Sequence, residues 1–235
     1  MKILAVDTSA TAASVCIAEE NKIIGESFIN TALTHSQTLM PMVEQLLDNT
    51  NTSLKDVDAI AVNAGPGSFT GVRIGVAAVK GLAFADNIPC ISISTLECMA
   101  YNMLGSDCIV CAAMDARCSQ VYNALFKVSG EQVERICADR ALSLDELAHD
   151  LQKFNQPIVL VGDGAEICVK YFENSSVNAK LAPVNKRIQT ASSTACAAIK
   201  EALRGNTVSA EEVMPTYLRL PQAQRELNKK LGVKK

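Results

Sequence analysis

Two segments that lie 108 residues apart share one pattern, an apolar strand that ends in aspartate and a tight turn. The first is Val6-Asp7-Thr8-Ser9, the second is Met114-Asp115-Ala116-Arg117, and a further apolar strand follows each of them. A pattern that returns at this distance indicates an internal duplication. We therefore expect two similar lobes, each with a mixed sheet flanked by helices, which is an α/β layered fold.

The division of the chain follows from where the second copy begins. Residues 1–105 form the predicted N-terminal lobe, residues 106–216 the C-terminal lobe, and residues 217–235 a basic tail. The tail is either a frayed terminus or a basic arm that contacts RNA phosphate or an acidic partner surface. Its charged residues are Arg219, Arg225, Lys229, Lys230, Lys234 and Lys235, against Glu226.

Composition excludes several classes of protein. Hydrophobic residues make up 49% of the 235 positions, enough for a sizeable core. The 22 basic residues stand against 25 acidic ones, so the positive charge of a stand-alone nucleic-acid binder is missing. No apolar run approaches the ~18 residues of a membrane span, and the run from Ile3 to Val6 is too short for a signal peptide. We expect a cytoplasmic protein with no membrane attachment.

Cysteine and histidine usage exclude further kinds of site. The nine cysteines are an odd number and most lie in apolar runs, which predicts reduced, buried thiols. Cys108 and Cys111 have the spacing of half a zinc site, but no second pair exists, so no metal is predicted. His35 and His149 are the only histidines, which excludes a paired imidazole site, and no G-x-S-x-G elbow is present. No catalytic residue is assigned.

Two segments are candidates for contact with a nucleotide or phosphate. Asp7 and Thr8 follow a buried strand, where they could meet magnesium and phosphate or form a turn that caps its own backbone. The loop Gly65 to Gly71 lies between a strand and a helix, where free amides favour an anion, but it matches neither the Walker A nor the G-x-G-x-x-G spacing. Phosphate contact by Gly65, Gly67 and Ser68 and a purely structural tight turn both stay open.

The two helices that follow are more apolar than one buried side requires. The helix that begins at His35, after a predicted Thr34–Gln37 capping box, has a core stripe that Met40 and Leu47 widen beyond the usual ~100°. The helix from Val72 is apolar almost all round. These helices are either well-packed core or, as we prefer, partly a subunit interface, with Met40 and Met42 as adaptable contacts. The predicted interface residues are His35, Leu39, Met40, Val43, Leu47, Arg73, Val76 and Lys80.

The glycine-rich run carries a family resemblance. Residues Ala61 to Gly75 (AVNAGPGSFTGVRIG), followed by Lys80-Gly81-Leu82-Ala83, closely resemble the TsaB family, also called YeaZ, of tRNA threonylcarbamoyladenosine biosynthesis proteins. Shorter landmarks agree with it and extend the resemblance over residues 4–219. They are Asp7-Thr8-Ser9, His35-Ser36 with Leu39 and Pro41, Asp115-Ala116-Arg117, Gly162-Asp163-Gly164-Ala165 and Pro215-Thr216-Tyr217-Leu218-Arg219.

The resemblance implies an actin-like, Hsp70-like (ASKHA) ATPase fold with two duplicated lobes, and a non-catalytic role. The paralogous catalytic subunit TsaD carries paired metal-binding histidines one helix after this loop. Here that stretch, Ser94 to Ala100, has no histidine, and Glu97 alone cannot hold a catalytic metal.

The partners that the resemblance implies are TsaD, bound through the two N-terminal helices, and TsaE, a P-loop ATPase. The assembly would move threonylcarbamoyl from threonylcarbamoyl-AMP to N6 of adenosine 37 in tRNAs that read codons beginning with A. The chain would meet tRNA indirectly, hold no cofactor of its own apart from ADP or ATP at a partner interface, and form a homodimer when TsaD is absent. The competing class is a small-molecule kinase or ATPase of the same superfamily; a peptidase is disfavoured by the histidine count.

Overall fold

The computed structural model describes residues 1–31, 33–173 and 175–219. The first sheet contains five strands in the order β3-β2-β1-β4-β5. β2 runs antiparallel to β1 and β3, whereas β1, β4 and β5 are parallel. The central strands β1 and β4 are buried over almost their whole length and are mostly apolar, because both faces of the sheet are covered. The strands are β1 (Lys2–Asp7), β2 (Ala13–Glu19), β3 (Lys22–Ile29), β4 (Ala59–Gly65) and β5 (Cys90–Ser94).

The second sheet repeats this arrangement. Its order, β8-β7-β6-β10-β11, places β6 in the position of β1, with an antiparallel neighbour on one side and a parallel one on the other. A short additional strand, β9, pairs with β7. The predicted duplication is thus visible strand by strand. The strands are β6 (Ser106–Asp115), β7 (Gln120–Gly130), β8 (Gln132–Arg135), β9 (Arg140–Ser143), β10 (Ile158–Val161) and β11 (Ala179–Leu181).

Six α-helices of the described residues cover the sheets, and two of them are exchanged between the lobes. α1 and α2 pack on the first sheet and α4 and α5 on the second. α3 follows the first sheet and packs mainly on the second, although Cys98 and Tyr101 still contact the first. α6 follows the second sheet and packs on the first. The helices are α1 (His35–Asn49), α2 (Phe69–Phe84), α3 (Thr95–Tyr101), α4 (Leu144–Leu151), α5 (Ala165–Phe172) and α6 (Ala191–Leu203).

The exchange corrects the predicted end of the C-terminal lobe. Residues 106–216 do not form one unit, because α6 packs its alanines Ala195 and Ala198 against Ile3 and Ala5 of the first sheet. The chain then stays with that lobe, where Val213 is fully buried. A helix sequence shows which face is apolar but not which sheet it covers, so the boundary could not be placed from local patterns.

Other expectations needed smaller corrections. Thr34 does begin α1, but its side chain forms no capping bond; the amide of Gln37 donates to the Thr34 carbonyl oxygen instead. α2 begins at Phe69, three residues before the predicted start. The short strands β8, β9 and β11 were not predicted. Most of the basic tail, residues 220–235, lies outside the described residues.

Of the helices in the described parts of the chain, none has the length and apolar character that crossing a membrane requires. All nine cysteines are free, and six of them are buried, as predicted. Burial raises the pKa of the Cys98 thiol to about 12, so this thiol stays protonated at neutral pH.

Candidate functional site

A cleft of about 640 Å³ opens between the two lobes. Its walls are the N-terminal turn of α2, the β1–β2 turn, the β6–β7 turn and the end of the described chain, from Thr216 to Arg219. The equivalent strands β1 and β6 both end here. In open α/β folds, ligands bind where the carboxyl ends of strands meet, so this cleft is the natural candidate site.

Asp7 lies beneath this cleft rather than in it. Its side chain is buried, and Oδ1 accepts a 2.8 Å hydrogen bond from the backbone amide of Ser9. Oδ2 has no hydrogen-bond partner among the described residues. Burial raises the pKa of this carboxyl, against the smaller lowering effects of Ser9, Asn63 and His35. The carboxylate therefore caps its own turn beneath the cleft, and its contact with phosphate stays a prediction.

Thr8 and the glycine-rich loop are packed against each other. The hydroxyl of Thr8 donates to the carbonyl oxygen of Gly71 at 2.8 Å, and the amide of Ser68 donates to the carbonyl oxygen of Ser9 at 2.7 Å. A β-carbon at Gly67 would overlap that Ser9 oxygen. Gly67 is therefore required for close approach of two backbones, which supports the structural interpretation of the loop.

Of the five predicted phosphate contacts, only Gly67 and Ser68 line the cleft. Gly65 is buried, at a φ of +115°, and a β-carbon there would lie 2.5 Å from the carbonyl oxygen of Thr216. Ser68 is the N-cap of α2, and its hydroxyl accepts from the amide of Gly71 at 3.3 Å. What the loop presents to the cleft is the positive end of a helix dipole, which favours an anion.

The second lobe repeats the turn with a more exposed carboxylate. Asp115 accepts from the amide of Arg117 at 2.7 Å, the same turn that Asp7 makes with Ser9. Gly162, at a φ of +101°, lies so close to Ala113 that a β-carbon would overlap its carbonyl oxygen. Asp115 and Asp163 both line the cleft. In the described residues, no group of three or more His, Cys, Asp or Glu side chains is placed to hold a metal ion.

The predicted interface residues lie in several different environments. Leu39, Val43 and Val76 are buried in the core of the first lobe, so they are corrected from surface contacts to core residues; Met42, proposed as an adaptable contact, is buried too. Met40 is 44% exposed and Leu47 is half-buried. At 100° per residue, position 76 shares a face with the buried positions 72, 79 and 83, a signal that could have excluded it.

His35 stands at the cleft rather than on the outer face. It is half-buried, and its Nε2 lies 2.7 Å from the carbonyl oxygen of Ala10. Its ring also lies close to Gly71, where a β-carbon would be 3.3 Å from Cδ2. His35 therefore joins the start of α1 to the β1–β2 turn, a positioning contact that the sequence did not reveal.

Three exposed residues of α2 lie outside the set of predicted interface residues. Ala77, Gly81 and Phe84 are on the outer side of the helix, and a β-carbon at Gly81 would meet nothing within 4 Å. Phe84 is 66% exposed. We group them with Met40, an exposed residue of the neighbouring helix α1, and call this set the α1/α2 face. Large exposed apolar side chains beside small ones are typical of interaction surfaces.

The two basic residues of α2 form hydrogen bonds with the last described part of the chain. Arg73 Nε donates to the hydroxyl of Tyr217 at 2.7 Å, and its guanidinium lies 3.9 Å from the centre of the Phe69 ring. Lys80 Nζ donates to the carbonyl oxygen of Glu211 at 2.9 Å. Both residues lie next to the α1/α2 face. The residues that they bind, Tyr217 and Glu211, were assigned from the sequence to the basic tail and to the C-terminal lobe.

Comparison with known proteins agrees with this geometry. A model of the family "TsaD: tRNA N6-adenosine threonylcarbamoyltransferase" matches residues 23–227. The chain is similar to the TsaB proteins of Escherichia coli K12, at 32% identity over 97% of this chain and 98% of that one, and of Bacillus subtilis 168, at 32% over 74% and 76%. The solved structure of YeaZ from Pseudomonas aeruginosa is 31% identical, with a TM-score of 0.81, over 92% of this chain and 99% of that one.

Two sheets of one strand order, exchanged helices and a cleft between the lobes define a protein of the actin-like ATPase fold, as predicted. Within that fold, the chain belongs to the TsaB family of tRNA threonylcarbamoyladenosine biosynthesis proteins.

Proposed function

We propose that this chain is a non-catalytic subunit of the machinery that makes threonylcarbamoyladenosine at position 37 of tRNA. It binds TsaD and helps to recruit TsaE, and the assembly transfers threonylcarbamoyl from threonylcarbamoyl-AMP to N6 of the adenosine in tRNAs that read codons beginning with A. The chain itself meets tRNA only through its partners. The observation that carries the proposal is the α1/α2 face.

This face has the character of a surface made for another helix. Gly81 in the interior of a helix costs about 0.5–1 kcal/mol relative to alanine. A β-carbon at Gly81 would meet no other atom of the described chain, so packing within this chain does not explain the glycine. A partner backbone that packs closely at this position does explain it. Phe84 on the same helix and Met40 on α1 add exposed apolar side chains, one large and one flexible. A homodimer formed through the same face when TsaD is absent is expected, because TsaD is a paralogue with the same helix pair.

A non-catalytic role is supported by what surrounds the place where TsaD carries its histidines. Glu97 is the one carboxylate in the stretch Ser94 to Ala100, and it is paired at 2.6 Å with Arg135, which also pairs with Asp139. The two histidines of the chain are on different lobes, His35 at the start of α1 and His149 in α4. Neither can join Glu97 in a metal site.

Nucleotide, if it is held at the joint with a partner, would meet Gly67, Ser68 and the N-terminus of α2, since these line the cleft. Asp7 is buried below and would not reach a phosphate. A small-molecule kinase, the alternative function, would need that carboxylate in the cleft. ATP hydrolysis by the isolated chain would support the kinase against the subunit.

The proposal is tested by charge substitution on the face. Met40→Glu and Gly81→Glu place a carboxylate where the partner would exclude water, so each is expected to weaken TsaD binding by about 2 kcal/mol or more, roughly 30-fold in Kd. The matched control is Ile167→Glu, a residue 39% exposed on α5 of the second lobe, which should leave binding unchanged. Calorimetric titration measures affinity, and circular dichroism checks that each variant is folded. Unaltered affinity in both face variants would contradict the proposal.

A further inference from the structure

The last described stretch of the chain, residues 207–219, runs from one end of α2 to the other and then crosses the cleft; we call it the C-terminal segment. It starts beside β5, where Cys90 and Val208 exchange two backbone hydrogen bonds of 2.8 and 2.9 Å. Val213 is then fully buried in the core that α1 and α2 share. The segment is therefore anchored in the first lobe although it follows the second in sequence.

Along α2, the segment is held by the two cations of that helix. Lys80 binds the Glu211 carbonyl oxygen near the C-terminal end, and Arg73 binds the Tyr217 hydroxyl near the N-terminal end. The ring of Tyr217 lies 5.0 Å from that of Phe69, so Arg73, Phe69 and Tyr217 form one stacked group. Such cation–π and aromatic contacts are each worth about 0.5–1.5 kcal/mol.

The segment ends in two contacts at the cleft. The amide of Thr216 donates to the carbonyl oxygen of Ala64 at 2.7 Å, directly above Gly65. Arg219 Nη1 then donates to the carbonyl oxygen of Ala116 at 2.7 Å. Ala116 belongs to the β6–β7 turn of the second lobe, so this bond joins the lobes across the mouth of the cleft.

The turn that receives Arg219 has an unusual backbone. Arg117, Cys118 and Ser119 follow Ala116 with φ values of 64°, 57° and 55°. Side-chain-bearing residues rarely adopt this left-handed conformation, and such conformations persist only where the surroundings hold them. A contact that fixes the Ala116 carbonyl therefore bears on the conformation of the whole turn.

We propose that the C-terminal segment couples the α1/α2 face to the second lobe, so that a bound partner fixes the β6–β7 turn across the cleft through Arg219. The inference rests on the proposed function, since it needs TsaD on that face. Met214 is 64% exposed and Tyr217 is 41% exposed, and Met214 lies beside Lys80, one helical turn before Phe84. A partner that covers these side chains binds the chain more tightly when its C-terminal segment is docked than when that segment is released. This difference in affinity shifts the population toward the docked form.

The coupling is tested by hydrogen–deuterium exchange of the full chain with and without TsaD from the same genome. In the wild type, TsaD should slow exchange both in α2 and, several-fold, in residues 115–120. In Arg219→Ala the protection of α2 should remain, while that of residues 115–120 is lost. The matched control is Arg187→Ala, an arginine of the second lobe that also binds a carbonyl oxygen, that of Ala182, and that should leave both effects intact.

The outcomes separate the two proposals. Absence of protection in α2 would contradict the proposed function itself. Protection of α2 without protection of residues 115–120 in the wild type would overturn the coupling alone, as would protection of that turn in Arg219→Ala.

A second measurement serves if Arg219→Ala does not fold. The chain contains no tryptophan, so Tyr217→Trp provides a single fluorescent reporter on the segment. TsaD should shift its emission to shorter wavelength and reduce quenching by acrylamide. Tyr171→Trp, at a site of nearly equal exposure on α5, is the control and should not respond. A reporter in the Tyr217→Trp variant that becomes more exposed on binding would mean that the partner releases the segment, contrary to the inference.

Discussion

The ends of β1 and β6 occupy equivalent positions in two lobes of equal strand order, yet they have different surroundings. Asp7 is fully buried under the glycine-rich loop and α2, whereas Asp115 lies half-buried on the wall of the cleft. The helices after the neighbouring parallel strands β4 and β10 also differ in length, with 16 residues in α2 and 8 in α5. The backbone frame of the duplication is retained, while the surfaces built on it have diverged.

This difference indicates how the two lobes divide their tasks. In the first lobe, the loop and the long helix close over the strand end, and the outer side of α2 carries the exposed residues Ala77, Gly81 and Phe84. In the second lobe, the turn stays open to the cleft and is held from across it by Arg219. On the side of the first lobe, the backbone of the glycine-rich loop thus packs directly against the β1–β2 turn, with the Ser68 amide donating to the Ser9 carbonyl oxygen.

The largest effect is expected where backbones touch in both lobes. Gly67→Ala and Gly162→Ala each place a methyl group on a carbonyl oxygen, of Ser9 and Ala113 respectively. Each should lower the free energy of unfolding by about 3 kcal/mol or more, measured by urea denaturation. Equal losses of unfolding free energy in the two variants would show that the backbone contacts are equally tight in the two lobes. A loss below about 1 kcal/mol in either variant would break the comparison for that lobe.

A smaller effect is expected at the two aspartates. Burial raises the folded-state pKa of Asp7 above the ordinary 3.8, so the folded chain binds this proton more tightly than the unfolded chain. The stability that the proton contributes is complete below 3.8 and is lost as pH rises through the folded pKa. Asp7→Asn should therefore gain stability relative to wild type as pH rises above 3.8 toward the raised pKa of the folded state. Asp115→Asn, which keeps contact with water, should show little change, and an equal gain there would contradict the difference in burial.

The smallest effect separates two faces of one helix. Gly81→Ala should raise the free energy of unfolding by about 0.5–1 kcal/mol, because its β-carbon meets nothing and alanine favours the helix. Gly75→Ala should instead be destabilising, since its β-carbon would lie 2.5 Å from the Thr8 hydroxyl. Thermal unfolding measures both. If both substitutions changed the free energy of unfolding in the same direction, the packed inner side and the open outer side of α2 would not differ as described.

Local patterns predicted most of the frame but not the contacts between distant segments. The strand ends at Asp7 and Asp115 and the helix after the glycine-rich loop follow from apolar periodicity and turn residues, which act over a few positions. The exchange of α3 and α6 and the path of residues 207–219 depend on contacts such as Arg73 with Tyr217, 144 residues apart, which leave no periodic signal. The glycine-rich loop could therefore be predicted from its own residues. The burial of Asp7 beneath it could not, because that burial depends on contacts with residues distant in sequence.

The role of the chain is tested most directly by threonylcarbamoyl transfer to unmodified tRNA, in a mixture of TsaD, TsaE and a source of threonylcarbamoyl-AMP. The chain is present, omitted, or supplied without its partners. We predict transfer that requires this chain and that never arises from the chain alone. Transfer that is unchanged when the chain is omitted, or that the chain performs by itself, would contradict its role as a non-catalytic subunit.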